Sequence, residues 1–249
     1  MDLTGRVALV TGGSGDLGNA IARALASAGA DVAATYVGNE PGATATCEAV
    51  EKQGRRTCRI QLDQTDPESA RAAVAAAVSR LGRLDVLVNN AAWNIGIPFP
   101  DLDGLTDAVW ERMWKTNLLG PFQLARAAAP HMRAQGAGRI VNIASIAGLM
   151  PSGSSLAYAT TKAALIHLTR CLAVALAPDI TVNCVAPGLI EGTRMARRLP
   201  PEVAEQARQR AVLRRATSGE DVASQVVAFC RADTVTGQVV PVDAGIHFH

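Results

Sequence analysis

A hydroxyl, a phenol and an ammonium group stand close together in this chain: Ser145, and thirteen residues on, Tyr158 and Lys162 within Tyr158-Ala159-Thr160-Thr161-Lys162. On a helix, residues four apart share one face, so the phenol and the ammonium are neighbours. An ammonium beside a phenol favours the phenolate and lowers its pKa, which suits Tyr158 to give a proton to a carbonyl oxygen and to take it back in reverse. Ser145 can hold the same oxygen by hydrogen bond, completing a small oxyanion-stabilising pair. Asn117, inside an upstream helix-length segment, can orient Lys162 through its backbone or a water. Such a set supplies a proton and geometry but no hydride, so a bound cofactor has to bring the hydride.

The elements that must position these groups are legible as alternation. Strand-length apolar runs fall at 7–10, 32–34, 58–62, 86–88, 140–143, 182–185 and 239–242, and helix-length segments at 17–28, 44–53, 67–81, 108–133, 157–177 and 220–231. Seven strands alternating with helices predict an α/β fold. The expected architecture is one Rossmann-type doubly wound domain over 1–249, with a central seven-stranded parallel sheet and helices on both faces. Continuously apolar rather than alternating strands agree with a sheet covered on both sides. Thr65 or Asp66 can cap the helix at Pro67, and Ser218 stands before Glu220 and Asp221 in a first turn. The Arg- and Glu-rich segment 191–215, with adjacent prolines at 200 and 201, leaves the sixth strand at its carboxyl end. It reads as a substrate lid spanning about 190–215, or else as a solvated helical pair.

Directly after the first strand comes Thr11-Gly12-Gly13-Ser14-Gly15-Asp16-Leu17-Gly18, followed by a helix. Glycines there let the backbone approach a pyrophosphate, and the helix N-terminus offers unpaired N–H groups. The second strand ends in Ala34-Thr35-Tyr36-Val37-Gly38-Asn39, with no acid before Glu40. No carboxylate would repel a 2′-phosphate, and Thr35, Tyr36 and Asn39 can bond one, so NADP(H) is favoured and NAD(H) stays possible. Asp63, after the third strand, can accept from the adenine amino group or hold a turn. Segments 93–105, 146–155 and 191–215 are expected to wall the substrate, with Trp93 and Phe99 either making the pocket apolar or anchoring their loop.

Composition narrows the partners. With 24 Lys and Arg against 22 Asp and Glu among 249 residues, the net charge of +2 offers no basic stripe for nucleic acid. The charged fraction is only 18%, lean enough to suggest extra buried surface, whether interior or between subunits. Cysteines at 47, 58, 171, 184 and 230 form no short pair, and the four histidines lack ligand spacing, so no metal is expected. The start lacks an export leader and no apolar run is long enough to span a membrane, which places the expected protein in the cytoplasm, away from membranes.

Together these motifs resemble the short-chain dehydrogenase/reductase family over 3–245. The resemblance implies that Asn117, Ser145, Tyr158 and Lys162 are the catalytic tetrad. It implies a cofactor site of Thr11, Gly12, Ser14, Gly15, Asp16, Leu17, Gly18, Tyr36, Asp63, Asn90, Ala91, Tyr158, Lys162, Pro187, Gly188 and Thr193. Asn89-Asn90-Ala91 would steady the sheet, Thr193 would donate to the carboxamide or phosphates, and Asp243 would hold a C-terminal turn. The substrate pocket would include Trp93, Ser145, Ala147 and Leu189. The leader GRVALVTGG and the ending TGQVVPVDAG look most like the 3-oxoacyl-carrier-protein reductase and related carbonyl reductase branch. That likeness implies a carbonyl compound (a ketone or 3-oxoacyl type) interconverted with its secondary alcohol. It also implies a homotetramer or homodimer, associated through the outer faces of 108–133 and 157–177 and through the tail 244–249. An NAD-dependent dehydrogenase of an alcohol, sugar or dihydrodiol is the enzymatic alternative, and a catalytically idle binding or structural subunit the non-enzymatic one. Four departures stand out: Asp16 replaces the family's middle glycine, Ala92 replaces another, Thr193 comes one residue late, and the connection 231–235 is short. Asp16 can point outward and cap its helix, the favoured placement, or it can repel the pyrophosphate.

Overall fold

The computed structural model describes residues 1–194, 196–198 and 201–248. Pro200 of the proline pair and His249 of the tail lie outside the described residues. Seven parallel strands, β1 (Val7–Val10), β2 (Asp31–Tyr36), β3 (Thr57–Gln61), β4 (Val86–Asn89), β5 (Gly138–Ile143), β6 (Ile180–Pro187) and β7 (Val239–Val242), form one sheet. Their order is β3-β2-β1-β4-β5-β6-β7. The chain runs outward from β1 to β3, returns to the other side of β1 at β4, and runs outward again. Loops from β1 and β4 therefore part in opposite directions, which opens a crevice at the carboxyl edge.

The helices are α1 (Asp16–Ser27), α2 (Glu40–Glu51), α3 (Pro67–Leu81), α4 (Asp107–Trp114), α5 (Gly120–Ala134), α6 (Leu156–Ala175), α7 (Pro201–Arg210) and α8 (Gly219–Arg231). One face of the sheet buries Leu9, Leu87, Ile140 and Val182 against α3 and α5, with Leu172 of α6 joining them. The other buries Val10, Val88 and Val141 against Ile21 and Leu25 of α1 and Val226 of α8. Both faces being covered accounts for strands β1 and β4, which are buried at every position. The expected α/β architecture is the one observed. Among the described residues, no helix is long and apolar enough to cross a membrane, and no group of three metal-ligating side chains comes together.

Local chemistry sets the element ends. Asp66 accepts from the Glu68 N–H ahead of Pro67 at the head of α3. Ser218 and Asp221 form a reciprocal capping box on α8. Asn39 accepts from the Gly42 N–H, so α2 begins four residues before the predicted 44. The predicted single helix over 108–133 is interrupted by a five-residue π-helical turn, Lys115–Leu119. Pro121 cannot donate the regular bond back to the Asn117 carbonyl, so the ladder loosens there. Segment 191–215 resolves into a short 3₁₀ turn at Ala196–Arg198 and α7, and its two ends are drawn together by a bridge between Ile190 and Thr217.

Candidate active site

The carboxyl ends of strands β1 to β6 border a cleft of ≈ 1740 Å³. After β1 the chain turns through the glycines, where Gly12 adopts a positive φ of 64°. Gly18 permits no side chain at all: a Cβ would lie 2.2 Å from the Gly12 carbonyl oxygen. The turn then presents the N-terminus of α1, whose N-cap Gly15 provides no side-chain bond to the first-turn N–H groups. A Cβ on Gly15 would meet only the Gly12 oxygen, at 3.5 Å, so its outer side is open. An open backbone cradle at an uncapped helix start fits a dinucleotide pyrophosphate.

Beside it, Thr11 is fully buried and its hydroxyl accepts the N–H groups of Asn90 and Ala91, both at 2.9 Å. Asn90 returns a bond from its side chain to the Thr11 carbonyl at 2.8 Å. Thr11, expected among the cofactor contacts, instead ties the β1 and β4 turns together and does not line the cleft. The other expected cofactor residues, Gly12, Ser14, Gly15, Asp16, Leu17, Gly18, Tyr36, Asp63, Asn90, Ala91, Pro187, Gly188 and Thr193, do line it.

At the end of β2 two expected phosphate partners are already committed. The buried Thr35 hydroxyl accepts from the Gly12 N–H at 3.1 Å. Asn39 caps α2 and donates to the Ser14 carbonyl at 2.9 Å. That leaves the Tyr36 and Ser14 hydroxyls bordering the cleft. Asp63 sits on the rim with its carboxylate taken up by the Thr65 N–H and hydroxyl, the turn alternative. The Thr193 hydroxyl donates to the Ile190 carbonyl and accepts from the Ala196 N–H, so its hydrogen is spent within its own segment.

Ser145 leaves β5 with extended backbone and caps a 3₁₀ turn, Ile146–Gly148, by accepting from the Ala147 N–H. Gly148 presses that turn onto α6, since a Cβ there would lie 2.6 Å from the Lys162 carbonyl carbon. Ser155 starts α6 by accepting from the Tyr158 N–H, which fixes the rotation of the helix at the phenol. Ser145, Tyr158 and Lys162 thereby line one cleft, with Trp93, Ala147 and Leu189 also on its wall.

The Lys162 ammonium is buried and donates to the Ile143 carbonyl at the end of β5, 2.9 Å away. Burial pulls its pKa down to about 8. Burial pushes the Tyr158 phenol up to about 12, while the neighbouring Ser145 hydroxyl pulls the other way. The expected lowering of Tyr158 by Lys162 is therefore not what this site displays. The ammonium lies 5.6 Å from the phenol ring centroid and is directed at Ile143, so desolvation dominates. At neutral pH the phenol is held protonated, the state of a proton donor.

Asn117 sits on the π-helical turn, buried and outside the cleft wall. Its side chain accepts from the Trp93 N–H and donates to the Trp93 carbonyl, both at 2.9 Å, and approaches the Thr161 hydroxyl at 3.3 Å. The Thr161 hydroxyl in turn donates to the Tyr158 carbonyl. Asn117 thus pins the loop after β4 to the helix that carries the phenol. Sequence reasoning missed Gln64, whose buried side chain donates to the carbonyls of Ala91 and Thr116, joining the β4 turn to the π-helical turn. It also missed the Arg112 guanidinium, stacked 4.3 Å from the Trp93 ring centroid. Neither position carries a sequence signal, because each is defined by what folds against it. Asp243, as expected, holds a turn, accepting from the Gly245 and His247 N–H groups.

A family model described as enoyl-(acyl carrier protein) reductase matches residues 13–247. A 3-oxoacyl-(acyl-carrier-protein) reductase of Staphylococcus aureus is 36% identical over 244 residues, covering 96% of this chain and 97% of that protein. The structure of a blue fluorescent protein from a metagenomic library, in complex with NADPH, superposes with a TM-score of 0.89 at 37% identity, covering 100% of both chains. That of an NAD+-bound xylitol dehydrogenase gives 0.92 at 28% identity, covering 98% of this chain and 100% of the other.

Proposed function

The chain belongs to the short-chain dehydrogenase/reductase family of NAD(P)-dependent oxidoreductases, and from that premise we propose that it reduces a ketone or 3-oxoacyl-type carbonyl to its secondary alcohol with NADP(H). The observation that carries this reading is the meeting of Ser145, Tyr158 and Lys162 on a cleft that also holds the glycine cradle. A nicotinamide cofactor, when bound, supplies the hydride. The glycine turn with Leu17 and Gly18, together with Asn90, Ala91, Pro187 and Gly188, would hold it. Ser145 offers its hydroxyl to the substrate oxygen, and Tyr158 delivers the proton to that oxygen as its negative charge develops. Lys162, fixed by Ile143, keeps a positive charge beside the phenol and stabilises the phenolate left behind. Asn117 acts as a positioning residue through Trp93 and Thr161.

The NADP(H) preference rests on the absence of any carboxylate from 34–39 and on the free Tyr36 and Ser14 hydroxyls at the cleft. Two observations favour NAD(H), the cofactor of the alternative dehydrogenase of an alcohol, sugar or dihydrodiol: the glycine turn carries no cation, and Arg59 near Tyr36 is paired with Glu40 at 2.9 Å. The chain reads as one catalytic domain with a lid over about 190–215, acting in the cytoplasm as a homodimer or homotetramer. NADPH oxidation with a panel of neutral ketones and acyl thioesters tests the activity. Tyr158→Phe should lower kcat by about 10²–10⁴ while leaving the cofactor Kd within about twofold. Undiminished turnover in that variant would remove Tyr158 from the proton path.

A further inference from the structure

Asp16, the acid in place of a family glycine, is the first residue of α1, yet its carboxylate does not cap its own helix. It reaches across the mouth of the cleft to the lid. Oδ2 accepts the Arg194 backbone N–H at 2.6 Å and lies 3.6 Å from the Arg197 guanidinium. The structure shows neither the favoured outward, helix-capping placement nor an unpaired carboxylate: Asp16 lines the cleft and its partners are Arg194 and Arg197.

Asp16, Arg194 and Arg197 line the same cleft as Gly12, Ser14, Gly15 and Leu17 of the glycine turn and Gly188 and Thr193 after β6. The contact therefore joins the start of α1, at the pyrophosphate cradle, to the segment after β6. Of the described cleft-lining residues only Asp16, Asp63 and Glu111 are acidic, and Asp16 alone belongs to the glycine turn. An amide N–H and a guanidinium converging on one oxygen make an anion site, and the anion present is the protein's own. The pair is half-exposed, with side-chain exposures of 46% and 63%, so solvent weakens it and it can exchange. A diphosphate carries more charge and more acceptor oxygens than one carboxylate.

Building on the cofactor reading, we infer that the Arg194 N–H and Arg197 guanidinium are lid ligands for the dinucleotide diphosphate, held in the free enzyme by Asp16 as an internal stand-in anion. Binding transfers these two donors from the carboxylate to the diphosphate and turns Asp16 out toward solvent. Asp16 then sets cofactor affinity equally for NADPH and NAD+, because both share the diphosphate.

Isothermal titration of the wild type, Asp16→Asn, Arg197→Gln and the double variant with NADPH, NAD+ and adenosine tests this, with thermal melts confirming that each variant folds. Asp16→Asn should tighten both dinucleotides by about tenfold and leave adenosine, which has no phosphate, unchanged. Arg197→Gln should weaken dinucleotide binding more in the Asp16→Asn background than in the wild type, where losing the ligand also relieves the competing contact. Without cofactor, trypsin should cut after Arg194 and Arg197 several-fold faster in Asp16→Asn, and NADPH should restore protection. Dinucleotide affinity unchanged or weakened in Asp16→Asn would overturn this inference alone. Failure of every variant, wild type included, to bind any dinucleotide would overturn the cofactor reading and this inference with it.

Discussion

Two shifted side chains govern the pH response of the site. Tyr158, raised to about 12, stays protonated through neutral and mildly alkaline pH, so the donor needed for carbonyl reduction is present there. Lys162, lowered to about 8, is charged below that value and neutral above it, and with the charge goes the stabilisation of a phenolate. Reduction should therefore hold level on the acid side of about 8 and decline above it. Alcohol oxidation, which requires Tyr158 to accept a proton, should gain as pH rises toward 8. Lys162→Met should erase the inflection near 8 and lower turnover, and pH profiles of kcat in both directions check this. The identities and spacing of Ser145, Tyr158 and Lys162 were legible in the sequence because a functional i, i+4 pair is a local pattern. The direction of the Tyr158 shift was not, because desolvation depends on everything packed around the phenol.

Strands and most helix ends could be read from apolar runs and caps, and β7 falls on 239–242 as predicted. The break in the helix over 108–133 could not: Pro121 is also a good first-turn residue, and only the fold decides that a π-helical turn precedes it. Nor does sequence show that Thr35 and Asn39 serve the glycine turn rather than a ligand, since the same donors suit both. At this scale Gly148 is a sharp test of how elements set the chemistry. A methyl group there collides with helix backbone at Lys162, so the turn carrying Ser145 must withdraw from α6. Gly148→Ala should cost about 1–3 kcal/mol of stability and lower kcat by tenfold or more with little change in cofactor Kd, read by denaturant titration and kinetics. Asp31, at the opposite end of β2, gives an acid-stability test. Burial opposes its charge, but the Arg56 N–H and the Arg56 and Arg55 guanidinium groups prevail and hold its pKa below the usual value. A depressed folded pKa contributes stability above the unfolded value of about 3.9 and loses it as pH falls through the folded one. Asp31→Asn should lower stability at neutral pH and flatten its decline below about pH 4, measured by urea unfolding across that range.

Charge and apolar surface belong to the whole molecule. A charged fraction of 18% finds a partial explanation in a sheet buried on both faces. The remainder lies outside: Leu119, ending the π-helical turn, and Phe122, at the start of α5, are 44% and 38% exposed, and Val174 near the end of α6 is 82% exposed. Val212 and Leu213, also exposed, follow α7, where their N–H groups bond to the carbonyls of Gly245 and Ala244. Exposed apolar side chains on and beside α5 and α6 form a first region, and those where the residues after α7 meet the C-terminal segment a second, surface that two different subunit contacts would use. The first region is directly tied to the site, because α6 carries Tyr158 and Lys162 and α5 continues from the π-helical turn of Asn117. Association there would stiffen the helices that aim the phenol and the ammonium. The chain should therefore sediment as a dimer or tetramer at micromolar concentration. Val174→Glu, at a position whose exposure spares the fold of the single chain, should shift that equilibrium toward smaller species and lower kcat in parallel, while a monomeric wild type with full activity would exclude the coupling.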